Sequence, residues 1–106
     1  MLIVNAQDVP NQTLQVQLGA QAAGLNIYQL QYGLFMDVYV GTTLIIAGVI
    51  CENLNRIVRD SYLGFSGDLA WYDTQGESDP VYTGIGSRYQ LVYLSPADMI
   101  ALGLTG

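Results

Sequence analysis

Histidine and lysine are both missing from this chain, and each absence removes a class of chemistry. Without His there is no base to activate a serine or cysteine nucleophile, and without Lys the Ser-Lys variants of that arrangement go too. A zinc site needs Cys and His ligands, and Cys51 is the only cysteine. A single cysteine also excludes an intrachain disulfide framework and is compatible with folding in a reducing cytoplasm. Cys51 follows an apolar run in "AGVICENL" and is expected to be a buried, inert thiol. Cations are scarce as well: Arg56, Arg59 and Arg88 face nine carboxylates, for a formal net charge of −6. Such a chain cannot build the basic footprint that displaces counterions from phosphates, so specific nucleic-acid binding is not expected. The longest apolar stretch, "TLIIAGVIC", falls well below the roughly 20 residues of a membrane helix. The opening "MLIV" is too short for a secretory core, so a soluble, unprocessed protein is expected.

The carboxylates that are present do not assemble into a recognisable site. "DTQGESD", with Asp73, Glu77 and Asp79, is the densest acidic stretch, yet it lacks the alternating ligand spacing and the downstream bidentate Glu of a calcium loop. "GIG" at Gly84–Gly86 is too short for a phosphate-binding fingerprint. We therefore expect no enzyme activity, no cofactor and no metal. Charged residues make up 11% of the chain, less than half of the roughly 25% usual in soluble domains. Apolar residues reach 51% and the mean hydropathy is +0.30, so this surface is poor in charge. A length of 106 residues predicts one domain spanning residues 1–106.

Alternation with period two dominates the chain. In "TLQVQL" Leu14, Val16 and Leu18 share one face, with Thr13, Gln15 and Gln17 on the other. "AQAAG" reads as a hairpin loop, and the phase slip in "LNIYQLQY" predicts a β-bulge near Ile27 or a strand buried on both faces. "LFMDVYV" and "TLIIAGVI" form a hairpin through Gly41 and Thr42, with Asp37 pointing outward. A long connection follows, with one short strand at "RIV", before "DLAWYD", the loop "TQGESDP" leading into "VYTGIGS", and the strand "RYQLVYL". Ser95 as N-cap, Pro96 at the first helical position and Asp98 in the first turn predict a short helix that Gly103 stops. The fold class is all-β: a small antiparallel sandwich or barrel of about seven strands with a short C-terminal helical turn.

Eight tyrosines against two Phe and one Trp suit a surface that binds protein yet stays soluble beforehand. Candidate partner contacts are Asn11, Gln12, Gln15, Gln17, Tyr28, Tyr32 and Tyr39, with Arg56, Arg59 and Arg88. Asn11, Gln12, Thr13, Gln15 and Gln17 offer neutral donors and acceptors without the cost of burying charge. Asp73, Glu77 and Asp79 are expected to be exposed on a loop, facing a channel or solvent.

The serial order of "VPNQTLQVQL", "LFMDVYVGTTLIIAG", "GDLAWYD", "TQGESDP" and "SRYQLVYLSPADM" resembles the baseplate plug family of contractile-tailed bacteriophages. The resemblance implies a non-enzymatic virion component at the hub end of the tail, where tube, hub and spike proteins meet. It implies partners among those proteins, self-association within the virion, and location in the tail baseplate after folding in the host cytoplasm. The alternative from the residues alone is a small β-barrel module that binds a ligand or carbohydrate in a groove lined by Trp71 and tyrosines.

Overall fold

The computed structural model describes residues 2–19, 21–31, 33–58 and 65–103; Tyr32 and Arg59 lie outside them. Seven strands run in the order β1 (Leu2–Val4), β2 (Asn11–Leu18), β3 (Gln21–Leu30), β4 (Gly33–Val40), β5 (Thr43–Ile50), β6 (Asp68–Asp73) and β7 (Tyr89–Leu94), followed by helix α1 (Pro96–Ala101). They form two antiparallel sheets, β2-β3-β4-β5 and β1-β7-β6. The all-β expectation therefore holds, with seven strands and one short C-terminal helix.

Alternation decides which side chains enter the core. Leu34, Met36 and Val38 are buried on β4, Ala23, Leu25 and Ile27 on β3, and Leu69, Trp71, Tyr89, Leu91 and Tyr93 face them from the smaller sheet. Leu14 and Val16 pack at the lip of this core as half-buried residues. The sheets are also tied by hydrogen bonds. The Gln21 side chain donates to the Ser66 carbonyl at 2.7 Å and accepts from its N–H at 3.1 Å, and the Tyr93 hydroxyl donates to the same carbonyl at 2.6 Å. Gly67, at φ +87°, lets the chain pass here, because a Cβ would collide with the Leu94 carbonyl and lie 2.9 Å from the Tyr93 hydroxyl.

Three sequence expectations change, and two segments without a prior reading take on structure. "AQAAG" is not a loop: β3 begins at Gln21, which pairs with Leu18 of β2, and Gly19 takes φ +65°. The register through Ile27 is regular, so no bulge lies there; the phase slip arises because Tyr28 and Leu30 point to the outer face, where Tyr28 stacks on Phe35 at 6.1 Å. The irregularity sits instead between β4 and β5, opposite Asp37, where Gly48 at φ +67° turns its N–H to the Asp37 carboxylate at 2.8 Å. "RIV" contributes only an isolated bridge from Arg56 to Ala70, and "VYTG" forms a 3-10 turn at Tyr82–Gly84. The N-terminal "LIV", unread as structure, pairs with β7. Helix α1 follows its sequence signals: the Ser95 side chain accepts from the Asp98 N–H, and Asp98 accepts from the Ser95 N–H in return.

Candidate assembly surfaces

Three hairpins with two-residue loops set the register of the large sheet, and the register arranges its outer face in rows. Asn11, Tyr28, Phe35 and Ile50 form one row; Thr13, Asn26 and Asp37 form the next; Gln15, Gly24, Tyr39 and Leu44 form a third. Thus Asn11, Gln15, Gln17, Tyr28 and Tyr39 share one face, whereas Gln12 belongs to the opposite one. Gln12 instead holds the preceding loop, donating to the Gln7 carbonyl at 2.6 Å and accepting from the Gln7 N–H at 2.9 Å. Gln15 lies over Gly24, whose missing side chain leaves the space; a Cβ there would sit 3.1 Å from the Gln15 amide nitrogen.

A polar network crosses the middle of this face. Thr13 donates to Asn26 at 3.0 Å, Asn26 to Asp37 at 3.3 Å, and the Tyr28 hydroxyl to Asp37 at 2.9 Å. Burial acts to raise the Asp37 carboxyl, but the Gly48 N–H, the Tyr28 hydroxyl and the Asn26 amide outweigh it and hold it below its ordinary value. Burial and the hydrogen bond to Asp37 raise the Tyr28 phenol. Asp37 is the only charged residue between Asn11 and Ile50, and its role is to fasten the bulge of β5 and not to meet solvent alone. Asn26, Phe35 and Asp37 were not among the expected contacts; the signal for them was the pair of short turns that fixes which residues stand opposite.

The acidic loop departs from expectation at Asp73. This residue is buried, and Arg88 grips it with both edges of the fork, Nε at 2.8 Å from Oδ1 and Nη2 at 2.9 Å from Oδ2. The N–H groups of Gln75 and Ser78 donate to the same carboxylate at 2.9 and 2.8 Å. Arg88 first, against the opposing effect of burial, and then these two N–H groups hold the Asp73 carboxyl far below the usual carboxylate range; the pairing raises the Arg88 guanidinium in turn. The expectation of an exposed Asp73 is therefore corrected: it organises the turn it was read as decorating. Glu77 and Asp79 are exposed, Asp79 accepting from the Asn53 N–H at 3.0 Å. Arg56 also turns inward, its Nη1 4.0 Å from the buried Asp68. Arg56 and Arg88, read as partner contacts, thus face carboxylates of their own chain.

Cys51 and Trp71, which could have supported other functions, are buried. Burial pushes the Cys51 thiol up to about 12, which leaves it protonated and unreactive at neutral pH. Trp71 is fully buried with its indole N–H 3.3 Å from the Met36 sulfur, so it is no platform for a sugar ring. A groove of about 760 Å³ does lie on the outer face of the small sheet, bordered by Ile3, Leu54, Tyr72, Val92 and Leu102. Among the described residues no group of three or more acidic or cysteine side chains is placed to hold a metal ion, and no helix is long and apolar enough to cross a membrane.

The profile of the family described as cyanophage baseplate Pam3 plug gp18 matches residues 1–96. The chain belongs to this family. A search of curated proteins found no match. The plug-family match takes in both sheets, the Asp37 network and the Asp73–Arg88 pair, and it ends at the first residue of α1.

Proposed function

We propose that this chain is a structural subunit of a phage tail baseplate, acting through protein contacts at the hub end of a contractile tail. The observation that carries the reading is the plug-family match across residues 1–96. The outer face of the large sheet supports it. It presents amides, hydroxyls and aromatic rings with a single carboxylate that already accepts from Asn26, Tyr28 and Gly48, so a neighbouring subunit covering it meets few polar groups without a hydrogen-bond partner. Partners on this reading are hub, tube and spike proteins, and the chain folds in the host cytoplasm before assembly. It performs no catalysis. The ligand-binding alternative loses Trp71, which is buried, and keeps the groove bordered by Tyr72.

The reading is tested by removing the chain from phage assembly and examining tails by electron microscopy. We expect particles with defective or absent baseplates, and recovery of the tagged protein in purified baseplates on complementation. Intact, infective tails from which the protein is missing would refute it.

A further inference from the structure

Two antiparallel sheets have four edges, and in a soluble protein an open edge invites another strand unless something blunts it. β1 is only three residues long. The free side of β6 is covered by residues 53–57, with the Leu54 N–H donating to the Trp71 carbonyl and the Ile57 N–H to the Leu69 carbonyl, both at 2.8 Å. β5 is broken by its bulge, and the Gly48 N–H is turned back to Asp37. β2 has none of these devices. It runs eight residues in unbroken register, with no charge, no proline and no bulge, and among the described residues nothing pairs with its free side.

The ladder shows which backbone groups are free. The Gln29 N–H donates to the Pro10 carbonyl, so Pro10 and Gln29 form a bonded pair. Bonded pairs then recur at Gln12/Ile27, Leu14/Leu25 and Val16/Ala23, and the N–H and C=O groups of Asn11, Thr13, Gln15 and Gln17 point away from β3.

We propose that this edge pairs with β2 of a second copy, antiparallel about a two-fold axis at Leu14, joining two four-stranded sheets into one of eight strands. The sequence is self-complementary in that register. Thr13 stands opposite Gln15 of the other copy and Asn11 opposite Gln17, so hydroxyl and amide groups meet on the outer face in bonded pairs. On the inner face Leu14 meets Leu14, and Val16 meets Gln12. Leu14 and Val16, half-buried at the lip of the core, become covered. The seam itself brings no like charges face to face, because β2 carries none of the net charge of −6. A second copy is favoured over a foreign strand because Asn11 to Gln17 find their mates within β2 itself, amides and hydroxyls with one another on the outer face and Leu14 with Leu14 on the axis. This inference goes beyond the baseplate reading and is decided with the purified chain alone.

The test is a single cysteine on the axis. Leu14 and its mate form a non-bonded pair, whose Cα separation of about 4.5 Å suits a disulfide, whereas a head-to-tail contact would not bring two copies of residue 14 together. Under mild oxidation Leu14→Cys is expected to give a covalent dimer, and wild type, with Cys51 buried, to give none. In sedimentation, Gln15→Lys should weaken the wild-type dimer at least tenfold while leaving the circular dichroism unchanged, since its side chain and backbone N–H lie outside the intrachain ladder. A wild-type protein that remains monomeric from micromolar to millimolar concentration overturns the proposal. So does a dimer that Gln15→Lys leaves intact.

Discussion

The two sheets handle charge in opposite ways. From Asn11 to Ile50 the chain carries only Asp37, whereas the smaller sheet and its loops hold Asp68 with Arg56 and Asp73 with Arg88 in close pairs. The large sheet is ordered by register and apolar alternation; the small one has shorter strands and carries ion pairs where its loops meet them. The difference separates two tasks. Charge organises the part with irregular backbone, and its scarcity leaves the regular part free to be covered by protein.

The sharpest way to break the comparison is at the layer the sheets share. Trp71 reaches from β6 to Met36 of β4 and is fully buried. Trp71→Ala should cost about 3–5 kcal/mol and lower the melting temperature of both sheets together in one cooperative transition. Two separate transitions would show that the sheets are independent units.

Next in size is the backbone crossing at Gly67. Gly67→Ala places a Cβ against the Leu94 carbonyl at a positive φ and should cost about 2 kcal/mol or more in a denaturant titration. Gly41→Ala provides the contrast on the large sheet: φ is +60° but nothing lies within 4 Å, so only the backbone term of about 1 kcal/mol remains.

Acid separates the two polar centres. Asp73 and Asp37 both have carboxyls lowered in the folded state, so each contributes stability that is present above the unfolded carboxylate value of about 3.9 and is lost as pH falls toward the folded one. The melting temperature should be flat between about pH 5 and 7 and decline below about 4. Arg88→Met should blunt most of that decline, since Arg88 is the first cause of the Asp73 shift. Asp37→Asn should remove a smaller part and cost about 1 kcal/mol at neutral pH. An acid profile unchanged in Arg88→Met would remove the pair from its assigned role.

Much of this arrangement was legible in the sequence, and the reason differs by region. Leu34, Met36 and Val38 could be placed in the core because nothing but alternation acts on β4, and Ser95, Pro96 and Asp98 specified the helix start locally. The outer rows of the large sheet needed the register, and reading "AQAAG" as loop instead of strand hid it. The partnership of Asp73 with Arg88 was not legible, because the two are fifteen residues apart and meet only when β6 and β7 pair. An acidic turn looks the same in sequence whether its carboxylates face water or hold the loop.

The smallest effect on the fold is expected at the acids that do remain exposed, and there the assembly reading is what is tested. Glu77 and Asp79 project from the turn that Asp73 and Arg88 hold in place, and a wall that passes DNA benefits from a sign that repels phosphate. Replacing both with Lys should change stability by less than about 1 kcal/mol, mostly through loss of the hydrogen bond that the Asn53 N–H donates to Asp79, because surface charge away from a packed contact contributes little. In assembled phage the same change is expected to slow genome delivery, read as delayed potassium efflux or DNA release after adsorption. Asp73 is left untouched, so that a folding defect does not imitate an electrostatic one. Normal delivery by particles carrying both substitutions would leave these acids with solubility before assembly as their remaining role, and would put the turn on a face that DNA does not pass.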